Sequence, residues 1–337
     1  MSSLVTGSSG FLGSALCRLL LEMGEPVRGF DLVASADARV ESFVGDLRDP
    51  GAVQAACEGV DVVFHVASLV SQELGKPQAL FGVNVTGTQT LIEAASATGA
   101  SRFVFTSSID VVFDGHAISG GDERLPYARK YLDYYGETKA MAERLALSAH
   151  GLGGMATCAL RPAGIYGPGD RQRFLPVVRA IQAGQYRRIG DGSSRFNHVY
   201  VDNVAFAHVL AAQHLGLDGP VGGEAYFVTD YAPSSFFDFV EAMLTDAGLE
   251  VPEGSVPAAA AQALAVANET RFRLSPSVKN ATPTLSRYVV ASTTRDFWFT
   301  HDKATRDFGY QPIVSQADAR KRTVRWLRQV LANERLV

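Results

Sequence analysis

Tyr135-Gly136-Glu137-Thr138-Lys139 sets a phenol and an ammonium four residues apart. Four residues make slightly more than one helical turn, so on a helix the two groups share a face. A phenol with its ordinary pKa of about 10 is a poor base near neutrality until a nearby cation stabilises the phenolate, each unit of depression being worth about 1.4 kcal/mol. The pair therefore suits removal of a hydroxyl proton. Tyr127, Tyr131 and Tyr134 crowd the same stretch, but only Tyr135 has a lysine four residues on. Upstream, Phe103-Val104-Phe105-Thr106-Ser107-Ser108 reads as a strand ending in two serines. A Ser108 hydroxyl at its carboxyl end would bond the reacting oxygen and aim it at Tyr135, with Ser107 as the competing assignment.

A second group lies near the start of the chain. Thr6-Gly7-Ser8-Ser9-Gly10-Phe11-Leu12-Gly13 follows a short apolar run. The first glycine permits a tight strand-to-helix turn, the second lets backbone approach a pyrophosphate, and the third allows close helix packing, with helix N-terminal amides facing the phosphates. Asp31 ends the strand Pro26-Val27-Arg28-Gly29-Phe30-Asp31, where a carboxylate accepts hydrogen bonds from an adenosine ribose and repels a 2'-phosphate. NAD is thus expected over NADP, with Arg28 and Arg39 nearby in sequence working against that discrimination. Asp46, in Gly45-Asp46-Leu47, reads either as a partner for an adenine amino group or as a turn-forming residue.

Both groups need a frame. Leu4 to Thr6, Val27 to Asp31, Val40 to Val44, Val60 to Val66, Arg102 to Ser107 and Thr157 to Leu160 read as strands. Phe11 to Met23, Pro50 to Glu58, Gln78 to Thr98 and Tyr135 to Ala149 read as crossover helices between them. Right-handed crossovers then give an α/β fold: a Rossmann doubly wound parallel sheet with a smaller, interleaved C-terminal substrate-binding region. Residues 1–165 are expected to form mainly the NAD-binding domain, and 166–337 mainly the substrate region, with segments returning to the sheet. Beyond Pro162 the pattern predicts a helix from Phe174 to Ala183, a strand from Phe196 to Val201 and a helix from Asn203 to His214. A strand from Ala225 to Thr229 and a helix from Phe236 to Ala247 follow, while Val251 to Pro283 has no clear amphipathic pattern.

Composition narrows the class. A 47% hydrophobic chain of 337 residues can bury a substantial core, and a net charge of −4 without long Lys or Arg runs argues against nucleic acid as a partner. Cys17, Cys57 and Cys158 lack metal-ligand spacing and read as structural thiols in a reducing compartment; no metal is expected. His65, His198 and His208 read as packing or hydrogen-bonding residues. The glycine loop comes too early for an apolar targeting segment, which points to the cytoplasm. The alanine-rich stretch from Val256 to Ala267 is short of the roughly 20 apolar residues of a membrane helix, leaving room only for peripheral membrane contact. Apolar faces on the Gln78 and Tyr135 helices suggest a homodimer.

These motifs resemble the extended short-chain dehydrogenase/reductase superfamily over almost the whole chain. Thr106-Ser107-Ser108-Ile109-Asp110-Val111-Val112-Phe113-Asp114-Gly115, Arg161 through Asp170 and Val199 through Val204 resemble the 3β-hydroxysteroid dehydrogenase/isomerase family, and within it the sterol-4α-carboxylate 3-dehydrogenase-like branch. The resemblance implies that Ser108, Tyr135 and Lys139 are catalytic, with Tyr135 and Lys139 also at the cofactor. It further implies that Gly7, Gly10, Phe11, Leu12, Gly13 and Asp31 hold NAD, that Asp46 and Leu47 lie near adenine, and that Ala67 lies beside the cofactor. Asn84 would support the site from a central helix, with Pro162 to Ile165 near the nicotinamide. The implied activity is interconversion of a secondary alcohol and a ketone on a steroid-like or other hydrophobic small molecule. Reduction of a long-chain β-keto acid, nucleotide-sugar epimerisation and non-catalytic dinucleotide sensing stay open as alternatives. Arg195, His198 and Trp298 are candidates either for a substrate pocket or for structure.

Overall fold

The computed structural model describes residues 2–70, 77–274 and 285–334. Five strands, β1 (Ser3–Thr6), β2 (Val27–Asp31), β3 (Glu41–Val44), β4 (Val62–His65) and β5 (Arg102–Thr106), are joined by strands Ala156–Pro162 and Ala225–Val228 in one seven-stranded sheet. Its order is Ala225–Val228, Ala156–Pro162, β5, β4, β1, β2, β3, and every pairing is parallel. The chain is therefore a Rossmann-like α/β protein.

Alternation along the strands explains why both faces are covered. Leu4, Val63, Phe103 and Phe105 enter one core cluster, whereas Val5, Phe64 and Val104 enter the other. Successive side chains of a strand point to opposite faces, so apolar residues at consecutive positions require helices on both sides. Helices α1 (Phe11–Glu22), α2 (Pro50–Cys57), α3 (Pro77–Phe81), α4 (Gly87–Ala97) and α5 (Tyr134–Ser148) supply most of that cover. Strand order reverses between β1 and β4, and the crevice beyond their carboxyl ends is where a doubly wound sheet offers a ligand site.

Two expectations are corrected here, and a stretch left without a predicted element gains one. The single helix over Gln78 to Thr98 is instead α3, a π-helical turn at Gly82–Thr86, and α4. The wider turn holds Asn84, whose amide bonds across to the Leu69 loop and to α5, the kind of use that π-bulges serve at functional sites. The strand over Phe196 to Val201 divides into Arg195–Phe196 and His198–Tyr200, which join different sheets. Asn197 separates them by turning its side-chain oxygen to accept from the Phe299 amide at 2.6 Å. Finally, Val251 to Pro283 contains a 17-residue helix, Ala258–Leu274, that buries Ala261 and Ala265 against Val290 of a following helix, Arg287–Thr294. Residues 275–283 of this stretch lie outside the described residues. Among the described residues no helix is long and apolar enough to cross a membrane.

Candidate active site

The glycine turn fits a dinucleotide for steric reasons. Gly7 has φ +70° and its amide donates to the Phe30 carbonyl at 2.8 Å, pinning the turn to β2. A Cβ on Gly7 would stand 2.8 Å from the Ala67 backbone, and one on Gly13 only 1.9 Å from the Gly7 oxygen. The backbone of β1, the loop after β4 and α1 thus meet at distances that only glycine allows. Gly10 caps α1 without a side-chain bond, and the first turn carries no acidic residue. The amides at Phe11 and Leu12 consequently open an apolar, uncapped helix end suited to a pyrophosphate.

Asp31 stands across the mouth of this turn. Its carboxylate accepts from the Ser9 amide at 3.0 Å and the Leu32 amide at 2.6 Å. Both arginines near it in sequence are engaged elsewhere. Arg28 bonds Glu41 at 3.1 Å and the Ala56 and Glu58 carbonyls, and Arg39 is paired with Asp37 at 2.6 Å. A 2'-phosphate would face Asp31 without a free guanidinium from either. We expect Asp31→Ala to lower the preference for NAD over NADP by roughly tenfold, the scale of one hydrogen bond to a charged group. Titration of both cofactors checks it, and an unchanged ratio would remove Asp31 from discrimination. Asp46 is gripped by Arg48 through a fork of contacts from 2.5 to 3.1 Å, which holds its carboxyl below the usual range. Leu47 is buried beneath Gly87.

The candidate reacting residues converge on the carboxyl end of β5. Ser108 follows that strand and caps a short 3-10 turn, Ile109–Val112. Tyr135 lies in the first turn of α5, capped by Asp133, whose carboxylate accepts from the Gly136 amide at 2.9 Å. Ser108 lies close enough to Tyr135 for its hydroxyl to favour the phenolate. Ser107 is buried, and its hydroxyl has no partner among the described residues, so the serine on the Tyr135 side is Ser108. Lys139 is buried, donates to the Thr106 carbonyl and lies 4.4 Å from the centre of the Phe105 ring. Asn84 braces the group, donating at 3.1 Å to Thr138, which sits between Tyr135 and Lys139 on α5.

The electrostatics differ from the simple picture of a lysine-depressed phenol. Burial, then the charges of Asp110 and Asp133, push Tyr135 well above the ordinary phenol range, and Ser108 pulls it back only in part. Burial draws Lys139 down to about 7 against the opposing pull of Glu143. The protein alone therefore holds a neutral phenol beside a lysine that loses its proton readily. Asp110, Asp133 and Tyr288 were not among the expected site residues. Asp133 had a signal in its place before an amphipathic run, the position of a helix cap. Tyr288 had none: its hydroxyl reaches Asp110 from the C-terminal region at 2.8 Å.

Other candidates are engaged with partners of their own. Arg195 pairs with Asp296 at 2.7 Å and covers Trp298 at 4.9 Å. His198 stacks on Phe239 at 3.6 Å and accepts from Arg173 at 2.6 Å. None of these contacts involves Ser108, Tyr135 or Lys139. His65 bridges Thr6 and Thr88, and His208 bridges Thr106 and the Val204 carbonyl, all at 2.8 Å, in keeping with packing roles. The three cysteines are free and buried, and burial pushes each thiol up to about 12. Pro162 and Ile165 flank the crossing from strand Ala156–Pro162 to the short strand Gly164–Tyr166.

Solved structures share this fold across nearly the full length. A dTDP-glucose 4,6-dehydratase from Streptomyces venezuelae, with NAD and TYD bound, is 25% identical with a TM-score of 0.74, covering 98% of this chain and 97% of that one. A UDP-glucose 4-epimerase from Thermus thermophilus, in complex with NAD, shares the fold at 24% identity and a TM-score of 0.75, over 97% and 99% of the two chains. Sequence relatives are nearer. The 3 beta-hydroxysteroid dehydrogenase/Delta 5-->4-isomerase of Mycobacterium tuberculosis is 37% identical over 94% of this chain and 87% of its own length. The decarboxylating sterol-4-alpha-carboxylate 3-dehydrogenase of Mus musculus is 36% identical over 95% and 89%. Residues 4–257 match the 3-beta hydroxysteroid dehydrogenase/isomerase family as a whole, and the chain belongs to that family.

Proposed function

We propose that this chain interconverts a secondary alcohol and a ketone on a steroid-like or other hydrophobic substrate. As a member of its family it is an NAD-dependent oxidoreductase acting on CH-OH. The observation that carries the reading is the placement of Ser108 after β5 close to Tyr135 in the first turn of α5, with Lys139 buried one turn further along that helix. NAD, bound on the glycine turn, supplies the hydride acceptor and a positively charged ring. Ser108 would hold the substrate oxygen, Lys139 would orient ribose hydroxyls, and Tyr135, once the bound cofactor's positive charge favours loss of its own proton to solvent, would take the alcohol's proton as phenolate. The names of the two sequence relatives support a 3-hydroxyl on a sterol-like skeleton. Where that hydroxyl lies β to a carboxylate, oxidation gives a β-keto acid that loses carbon dioxide with little further help.

Purified protein supplied with NAD should form NADH with hydroxysteroids or β-hydroxy acids. Epimerisation of a nucleotide sugar without oxidation of either class would reject the substrate assignment while leaving the hydride chemistry in place. A cytoplasmic homodimer belongs to the same proposal. Phe81 on α3 and Tyr134 and Met141 on the adjoining α5 are all more than a third exposed, an apolar surface that suits a second copy. Sedimentation equilibrium should therefore give twice the 36.1 kDa of one chain, and a single-chain mass would exclude the dimer.

A further inference from the structure

A run of aromatic rings links the Ser108 side of the site to Arg173. Ser108 donates to Asp110, which also accepts from the Tyr288 hydroxyl. The Tyr288 ring meets Phe113 edge to face at 6.1 Å, and Phe113 stacks on Phe297 at 4.0 Å. Phe297 in turn lies 5.8 Å from Phe196, whose ring centre is 5.9 Å from the Arg173 guanidinium. Among the described residues that guanidinium makes one hydrogen bond, from Nη1 to His198 Nδ1 at 2.6 Å. Burial and the charge of Arg173 hold His198 well below its ordinary range, so a neutral ring fixes the guanidinium without neutralising it. Nη2 lies over Gly164, where a Cβ would meet it at 2.2 Å, on the short strand just after Pro162. The paired acid, Asp170, stands 3.8 Å from Nε, beyond hydrogen-bond range, and spends its Oδ1 on the Gln172 and Arg173 amides. Asp170 Oδ2 and the Tyr166 hydroxyl, which also feels the Arg173 charge, are buried without a hydrogen-bond partner among the described residues. Helix Phe174–Gln182 begins directly after Arg173 with no acidic residue in its first turn, so its positive end adds to the guanidinium.

We propose that Arg173 is a specificity-determining residue that receives a carboxylate carried by the substrate, separated from the reacting carbinol by an apolar body. A guanidinium has five N–H donors in a fixed fork, and with most of them unspent it binds a carboxylate through two parallel hydrogen bonds. Charge decides which end of the substrate bears that group. Beside Ser108 and Tyr135 stand Asp110 and Asp133, acids that offer an incoming carboxylate no attraction. At Arg173 the balance reverses, because the nearest acid is outside hydrogen-bond reach and a helix end reinforces the cation. The phenylalanines between the two ends suit a hydrophobic skeleton. The inference rests on the proposed function and narrows its substrate class to a hydrophobic hydroxy acid, such as a 3β-hydroxysteroid whose side chain ends in a carboxylate.

The test compares kcat/KM of the full chain, with NAD, for a 3β-hydroxysteroid bearing a side-chain carboxylate and for its methyl ester. The parent protein should favour the acid by about tenfold to a hundredfold, the scale of a hydrogen bond to a charged group. The difference should lie chiefly in KM, because a group remote from the carbinol is held equally before and during hydride transfer. Arg173→Gln should bring the acid-to-ester ratio to about one, and Arg173→Lys, which keeps the charge but loses the fork, should retain part of it. The ratio does not depend on how much of a variant folds, so a poorly folding one still reports. A parent ratio of about one, or a ratio that Arg173→Gln leaves unchanged, would overturn the inference and leave the proposed function standing. A second acid and ester pair, with the carboxylate on the carbon next to the carbinol, tests the position. An Arg173-dependent preference confined to that pair would overturn the separation by an apolar body. Turnover of none of these compounds, nor of an uncharged 3β-hydroxysteroid, would remove the proposed function and the inference with it.

Discussion

Tyr135→Phe should lower turnover by about a hundredfold to ten-thousandfold, the usual contribution of a general acid or base, while NAD binding and the unfolding temperature stay near those of the parent protein. The substitution removes one hydroxyl and keeps the ring, so α5 retains its packing and its Asp133 cap. The other tyrosines of the same stretch are engaged elsewhere or exposed. Tyr127 donates to Glu143 at 2.7 Å and Tyr131 to the Val111 carbonyl at 3.2 Å, while Tyr134 is exposed. The effect should lie in kcat with saturating cofactor, because the lost group acts on the substrate proton. Near-normal turnover with a confirmed substrate would place the base elsewhere and undo the mechanism.

Gly13→Ala should weaken NAD binding by at least about a hundredfold, the scale on which a displacement of about 1 Å disturbs a positioned ligand. The added methyl would stand 1.9 Å from the Gly7 oxygen, and that oxygen belongs to a backbone fixed by β1 and β2, so the start of α1 must move. Graded controls are built into the chain. At Gly10 the nearest atom to an added Cβ is at 3.1 Å, which calls for a slight adjustment, and a partial loss is expected there. At Gly51 on α2 the nearest atom is at 3.5 Å, an ordinary contact, so Gly51→Ala should bind NAD like the parent. Isothermal titration of the three variants gives the ranking. Equal binding by Gly13→Ala and Gly51→Ala would mean that the turn does not cradle the dinucleotide.

The sheet was legible, and both halves of the candidate site could be proposed, because their signals are local. Short apolar runs between helix-period segments, a glycine turn after a strand and a lysine one turn after a tyrosine each declare themselves locally. Elements that depend on distant partners were not. Nothing near Asn197 announces that its side chain will bond Phe299 and divide a strand, and nothing near Gly82 announces a π turn. Ser107 and Ser108 are adjacent at a strand end, so their side chains leave in different directions and the choice between them needs the position of α5. Proximity of Lys139 to Tyr135 followed from helix geometry, but the lysine's tie to the Thr106 carbonyl and the two acids beside the tyrosine did not. Asp110 and Tyr288 are far apart in the chain and meet only once the C-terminal helices are in place.

The seventh strand of the main sheet has a consequence for how the protein is made. Strand Ala156–Pro162 is buried throughout, and its outer edge is paired only by Ala225–Val228. A ribosome adding about 5–20 residues per second delivers that partner on the order of several seconds after the edge itself emerges. During this interval the nascent chain presents an unpaired apolar strand edge, the kind of surface that recruits strands from neighbouring chains. Synthesis speed between residues 163 and 225 therefore governs how long the protein is exposed to misassembly, and a chaperone that shields one strand edge would act in that window.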